Sequence, residues 1–208
     1  MREKLLDIAI DHFGRRGFEG AATRAIAADA DTAMSQITYH FGGKEGLYLA
    51  CADHIAARIS EWHGPRIMEL GDVHVLEADA AADAICHLIG GFGHMMLNPA
   101  TRAWASFIAR EQQAPTEAFE RLFNGAMKPM METGLALIRR ARPDLDEQEV
   151  RATGILIWGQ ALVLRTARET LKRVMQVDEI DAATATLLIE RLIEHTRCLI
   201  TNLPEKTR

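Results

Sequence analysis

The sequence predicts an all-α chain, and three observations predict it. Apolar residues recur at helical spacing, as in Leu5, Ala9 and Phe13 with Leu6 and Ile10 beside them, whereas strand-like alternation is hard to find. Ala, Leu, Ile, Met, Glu and Arg dominate, and aromatic residues make up only 6%. Glycine and proline punctuate the chain between the periodic stretches. With 208 residues, 48% hydrophobic and 25% charged, the composition is that of a globular protein able to bury a real core, and it excludes disorder.

The elements follow in order. An amphipathic helix spans about 2–16 and ends at Gly17, after which Phe18 folds back into a small core. A short helix at 23–30 turns Ile26 and Ala27 inward, and a second covers 33–40 before Gly42-Gly43 breaks the chain. A longer helix runs from Lys44 to Trp62, where Gly64-Pro65 is expected to stop it. Helices at 78–97, 100–113, 116–142, 146–175 and 181–203 complete about nine, with a kink expected at Pro129 inside the 116–142 segment. No period repeats and no segment is low-complexity.

Several function classes recede on composition. The three cysteines, Cys51, Cys86 and Cys198, are too scattered for a disulfide framework, so a reducing cytoplasm is expected. No run of about 18 apolar residues occurs, so no membrane span is expected. The opening Met-Arg-Glu-Lys leads into a helix and not into a signal peptide. The formal net charge of -5 weighs against a nucleic-acid partner at first sight. That acidity is unevenly spread: residues 1–50 hold six Lys+Arg against seven Asp+Glu, so most of the excess lies further along.

Within the first 45 or so residues, three short helices, the last two joined by a tight turn, form a helix-turn-helix pattern. On geometry alone many helical proteins contain such pairs. The specific residues are Gly17-Phe18, Thr23-Arg24-Ala25-Ile26-Ala27, Ser35-Gln36-Ile37-Thr38-Tyr39-His40-Phe41 and Gly42-Gly43-Lys44-Glu45-Gly46-Leu47-Tyr48. Together they resemble the DNA-binding domain of the TetR family of transcriptional repressors, over roughly residues 2–50. In the later part, Arg110-Glu111-Gln112 with Pro115-Thr116-x-Ala118-Phe119, and Gly159-Gln160-Ala161-Leu162 with Arg165 and Ala167-Arg168, resemble the CecR-like subgroup.

The resemblance implies a helix-turn-helix domain over 1–47 and an effector-binding and dimerisation domain over 48–208. The segment 33–40 is then expected in the major groove of a double-stranded operator. Met34, Ser35 and Gln36 would read bases: Gln36 can pair bidentately with adenine, and Met34 can meet a thymine methyl. Arg24 would reach a guanine or a phosphate. Thr23, Thr38, Tyr39 and His40 would hold phosphates, and Lys44 opens a helix whose amides favour one. The bland readings are weighed alongside: Ile26, Ala27, Ile37 and Leu47 are core either way, Phe41 reads as a core aromatic, and a lone His40 reads as a surface histidine. The chain departs from the family at the turn, where Ala30-Asp31-Thr32 stands for Ala-Gly-Val, and at Ala22 and Ala33, where Ser or Thr is usual. Asp tolerates a left-handed conformation, and Thr23 or Thr32 is expected to cap instead.

The family likeness further implies a homodimer, a near-palindromic operator and a largely apolar small-molecule effector, with repression as the norm. The candidate pocket residues are His87, Met95, Trp104, Phe107, Met127, Met131 and Trp158, since Met-rich lining suits pliable apolar recognition; core packing is the bland reading of each. Arg110, Glu111 and Arg165 are read as a buried polar cluster. The dimer stripes are read as Trp158, Ala161, Leu162 and Arg165 on one helix and Leu188, Leu192, His195 and Leu199 on another. No cofactor and no metal are expected. The alternatives are a helical-bundle enzyme or metal-binding protein, and a DNA-binding protein without an effector. Against an enzyme, the chain lacks GxxxxGK[ST], GxSxG, HExxH, CxxC and Glu-x-x-His. Asp83, His87 and His94 share a helix face but are too few to specify a metal.

Overall fold

The computed structural model describes residues 2–201, and all its regular elements are helical. The helices are α1 (Arg2–Gly20), α2 (Thr23–Asp29), α3 (Met34–Phe41), α4 (Lys44–Glu69), α5 (Ala78–Leu97), α6 (Arg102–Gln113), α7 (Glu117–Leu122), α8 (Lys128–Ala141), α9 (Glu147–Thr166), α10 (Arg168–Met175) and α11 (Ala182–Thr201). The expected end of the last helix at Leu203 lies outside the described residues.

Two of the expected helices are each divided in two, which makes eleven α-helices among the described residues in place of about nine. In the 116–142 stretch a π-helical turn, Phe123–Met127, separates α7 from α8. Pro129 is the cause. It has no N–H for the carbonyl of Gly125 and its ring crowds that turn. The freed Gly125 carbonyl accepts instead from the Ser60 hydroxyl at 3.0 Å. The expected helix 146–175 breaks at Ala167, which leaves the helical region at φ -110, ψ 30. Its start is well specified: Asp146 accepts from the Glu149 N–H and Glu149 reaches back to the Asp146 N–H, a reciprocal capping box.

One expected boundary is overturned. Gly64-Pro65 does not stop α4, which continues to Glu69 with Pro65 in its interior. Proline has a helical φ, so continuation costs one backbone bond and some ring crowding and nothing more. The Arg66 guanidinium meanwhile takes the Trp62 carbonyl at 2.7 Å. The break at Gly17 does appear, at φ 73 and ψ 174 within α1. The caps of α2 and α3 are the plain backbones of Ala22 and Ala33, and neither receives a side-chain bond, so neither Thr23 nor Thr32 caps. Asp31 occupies the left-handed region at φ 53, as its position in the turn requires.

The chain divides into two compact units. Unit 1 comprises 1–61 with 99–129, and unit 2 comprises 62–98 with 130–208. This division by compactness differs from a split at residue 47, because α6 and α7 pack with the N-terminal helices. In unit 1, Leu5, Leu6, Ala9, Ile10 and Phe13 of α1 bury with Ile26, Ala27, Ile37, Leu47 and Ile55. In unit 2, α5 is buried along most of its length between α9 and α11. Gly90 and Gly93 let α11 approach: a Cβ at Gly93 would lie 2.6 Å from Ile189 Cδ1. Among the described residues α5 is the one helix whose length and mean hydropathy reach those of a membrane span, and 78% of that window is buried inside the protein. It is therefore read as a core helix. Cys51 and Cys86 are buried and Cys198 is exposed, and all three are free thiols.

Gly46 tests the packing of unit 1. A Cβ there would sit 1.7 Å from the Phe41 carbonyl oxygen, so α4 can start against the end of α3 only with glycine. Gly46→Ala is expected to destabilise by about 3 kcal/mol or more, read as a lowered midpoint in urea unfolding.

Candidate DNA-reading head and effector region

The third helix buries one side chain, Ile37, and turns the rest outward. Met34, Ser35, Thr38, Tyr39 and His40 are exposed, Tyr39 at 82%, and Gln36 is half-buried. Gly42 terminates the helix in the left-handed region at φ 75, with its N–H on the Thr38 carbonyl. Phe41 is half-buried, with the Arg2 guanidinium 5.7 Å from its ring centre, so it is a partial core residue and not a fully buried one. The His40 Nε2 and Gln36 Oε1 are hydrogen-bonded at 3.1 Å, which holds the Gln36 amide in one orientation.

On the neighbouring elements, Arg24 is exposed and Thr23 half-buried. The Lys44 ammonium donates to the Glu19 carbonyl at 3.1 Å and lies 4.8 Å over the Phe18 ring, so it is tied to the end of α1. The α1–α2 angle is fixed by His12 Nε2 and Asp29 Oδ2 at 2.7 Å. All nine candidate DNA contacts thus belong to one unit, on α2, α3 and the first residue of α4.

Behind the head, sequence reasoning missed the actual use of Arg110 and Glu111. The Gly17 break frees carbonyls at the end of the first part of α1. Arg110 donates Nε to Gly14 O and Nη2 to Arg15 O, both at 2.7 Å. Glu111 is buried and accepts from the Tyr48 hydroxyl at 2.6 Å and from the N–H and hydroxyl of Thr116. Burial and this carboxylate push the Tyr48 hydroxyl well above the ordinary tyrosine range. Tyr48 meets Phe13 edge-on at 4.8 Å and Phe107 at 4.6 Å. An open cleft of about 590 Å³ lies alongside, with Arg16, Tyr48 and Glu111 among its walls. Arg165 belongs to unit 2, where it donates to the Met95 and Asn98 carbonyls. The expected three-residue cluster is therefore two separate arrangements.

The candidate effector residues do not form one set. Trp104, Phe107 and Met127 belong to unit 1; His87, Met95, Met131 and Trp158 belong to unit 2. Phe107 is fully buried against Tyr48, a core role, and His87 is exposed. Unit 2 does hold an apolar cavity of about 20 Å³ between α5, α8 and α9, lined by Ile85, Leu88, Ile89, Met130, Gly134 and Trp158 among others. Trp158 is the one candidate on its wall. The indole lies against Gly134, where a Cβ would be 2.1 Å from its ring.

Unit 2 also contains a buried histidine, His63, which a helix ending at Trp62 would leave outside and which the continuation of α4 to Glu69 places on a helix. It is 2% exposed, packs on Phe92 at 5.8 Å, and neither ring nitrogen has a partner. Burial, reinforced by the nearby Arg66 charge, lowers its pKa to about 4. Asp83, which shares a helix face with His87, pairs with Arg197 at 2.5 Å. Among the described residues no three His, Cys, Asp or Glu side chains assemble as a metal site.

The His63 environment has a measurable sign. A histidine neutral in the fold and basic when unfolded contributes full stability above its unfolded pKa of about 6.5 and loses it as pH falls toward 4. Unfolding free energy is expected to drop over that window, and His63→Leu is expected to flatten the drop, as measured by denaturant melts at pH 7.5, 5.5 and 4.5.

Comparison with known proteins agrees with the geometry. Residues 5–51 match the family described as "Bacterial regulatory proteins, tetR family", and residues 81–202 match "HTH-type transcriptional dual regulator CecR, C-terminal domain". The chain is 32% identical to the HTH-type transcriptional dual regulator CecR of Shigella flexneri, over 82% of this chain and 78% of that one. It is 38% identical over 60 residues to the HTH-type transcriptional repressor AcnR of Corynebacterium glutamicum, covering 29% of this chain and 32% of the relative. Among solved structures, FadR of Bacillus subtilis in complex with stearoyl-CoA shares the fold with a TM-score of 0.67 at 12% identity, covering 98% and 100% of the two chains. A TetR-family regulator of Streptomyces coelicolor does so at 0.66 and 16%, covering 96% and 87%. The chain is not an enzyme: it belongs to the TetR family of DNA-binding transcriptional regulators, in the CecR-like subgroup.

Proposed function

We propose that the chain is a ligand-responsive repressor that binds a near-palindromic operator as a homodimer in the cytoplasm and is released by a small-molecule effector. The observation that carries the DNA reading is the outer face of α3, where Met34, Ser35, Thr38, Tyr39 and His40 are exposed and Ile37 alone is fully buried. Gln36 pairs with adenine through an amide already oriented by His40, while Met34 and Ser35 meet neighbouring base edges. Thr23, Arg24, Thr38, Tyr39 and His40 position the head on phosphates. Lys44 contributes its backbone N–H at the start of α4 together with the N–H bonds its ammonium has left over. Residues 1–47 act as the reading head and 48–208 as the effector and dimerisation part. The relative named a dual regulator leaves activation at some promoters as part of this reading.

The dimer reading rests on α9. Its exposed face carries Ile155, Leu156, Leu162 and Val163 at 56, 66, 42 and 49% exposure, with Gly159 bare between them. This corrects the stripe read from the sequence: Trp158 and Ala161 point into unit 2, and on α11 Leu192 is buried. A second copy covers such a face in a two-fold arrangement, and two heads then meet two half-sites.

Effector control requires different affinity for the two states of the dimer. α4 is the lever, since it starts at the reading head and its last residues belong to unit 2. A second reading, a DNA-binding regulator without an effector, is favoured by the cavity of about 20 Å³, since ligand pockets run to roughly 300 Å³ or more. A thermal-shift screen separates them: a stabilising compound that also releases operator DNA supports the first reading, and none supports the second.

Two outcomes test the core of the proposal. With Arg24 and Lys44 as the only cationic contacts in each head, log K is expected to fall with log salt at a slope of about -4 for the dimer; a slope of about -8 contradicts this set. Leu156→Arg is expected to give a folded monomer by light scattering, with operator affinity down about a hundredfold.

A further inference from the structure

The first residues of α4 that belong to unit 2 concentrate buried polar atoms without hydrogen-bond partners. The Trp62 Nε1 is buried without a partner, and so are both nitrogens of His63. Arg66, half-buried, gives one N–H to the Trp62 carbonyl, and no carboxylate pairs with it among the described residues. Its guanidinium lies on the α5 backbone, possible because residue 91 is glycine: a Cβ there would be 2.9 Å from Arg66 Nε. A part-buried cation and unsatisfied buried donors are each costly unless an acceptor meets them. The acceptor that suits a guanidinium, an imidazole N–H and an indole N–H together is an anion.

An apolar track leads away from this corner. His63 packs on Phe92, and Phe92 continues along one face of α5 through Ile89 to Ile85. Ile89 and Ile85 line the small apolar cavity that Trp158 closes against Gly134. We propose that Trp62, His63 and Arg66 form the head-group subsite for an amphipathic organic anion, a carboxylate or phosphate monoester whose apolar body follows the α5 face and displaces the Trp158 indole. Both head groups offer the same chemistry, oxygens bearing negative charge on an apolar chain. The proposal rests on the effector-responsive reading above, and it names the class of effector.

The test uses the full-length protein and three probes below their micelle concentrations: dodecanoate, dodecyl phosphate and dodecanol. Isothermal titration is run on the wild type, Arg66→Gln and His63→Leu. The anions are expected to bind at least about tenfold more tightly than the alcohol, and their rank tells carboxylate from phosphate. Each variant is expected to erase that preference while leaving alcohol affinity unchanged, an effect that a loss of packing alone does not produce. His63→Leu replaces an unpartnered polar group by an apolar one of similar volume, so it keeps the question answerable if Arg66→Gln folds poorly. Equal binding of anion and alcohol, variants that keep the preference, or no binding by any of the three overturns the subsite. Operator binding is followed in parallel by anisotropy on an operator selected from random DNA. Anion binding that leaves operator affinity unmoved retains the subsite and removes the effector reading; release of operator by another compound, undiminished in both variants, does the reverse.

Discussion

Unit 1 depends on how α1 is broken and then repaired. At Gly17 the backbone leaves the helical region, which turns Phe18 onto the aromatic cluster around Tyr48 and strips carbonyls at the end of the preceding turns of their partners. A buried carbonyl left bare is expensive. Arg110 removes that cost by donating to two successive carbonyls, and in doing so it fixes α6 to α1. Gly14 permits the contact, since a Cβ there would press on Ala103 O and Ser106 at 3.1 Å. The adjacent Glu111 then locks α4 through Tyr48 and the start of α7 through Thr116. Two consecutive residues of α6 therefore tie it to α1, α4 and the start of α7, by charged groups whose geometry admits few alternatives.

The reading helix is the converse case. It is anchored by Ile37 inside and by its junction with α4, where Gly42, Gly43 and Gly46 allow a turn no larger residues could make. Thin anchoring is what leaves a full helical face available to a ligand as large as a duplex. The cost is local, with few buried contacts to hold α3 when DNA is absent.

Much of this was legible in the sequence. The run from Gly17 to Tyr48 specifies the head, because glycines, a buried Ile and the Lys-Glu-x-Leu start fall where the turn geometry demands them. The helix 78–97 was legible to the residue, since Asn98-Pro99 ends it. Other features were not. Pro65 reads as a stop, yet proline already has a helical φ, so whether a helix continues past it depends on tertiary neighbours that spacing does not show. Moving the end of α4 hid His63 and Arg66 on a helix face. The stripe read on α9 mixes buried Trp158 and Ala161 with exposed Leu162, because Ile155 to Val163 is apolar on both faces and spacing alone does not tell core from surface. Arg110 and Glu111 read as needing partners, but apart from Thr116 the partners lie nearly 100 and over 60 positions away in the chain, beyond any local pattern.

The three thiols differ in a way that bears on chemistry. Burial raises the Cys51 and Cys86 thiols, so neither offers thiolate at neutral pH, and both are shielded from reagents in any case. Cys198 stands in solvent on α11. The native fold thus presents a single nucleophilic sulfur per chain, and unfolding presents three. Alkylation stoichiometry becomes a direct count of how many molecules have opened, and a reporter group attached under native conditions goes to one address on α11 without any engineered residue.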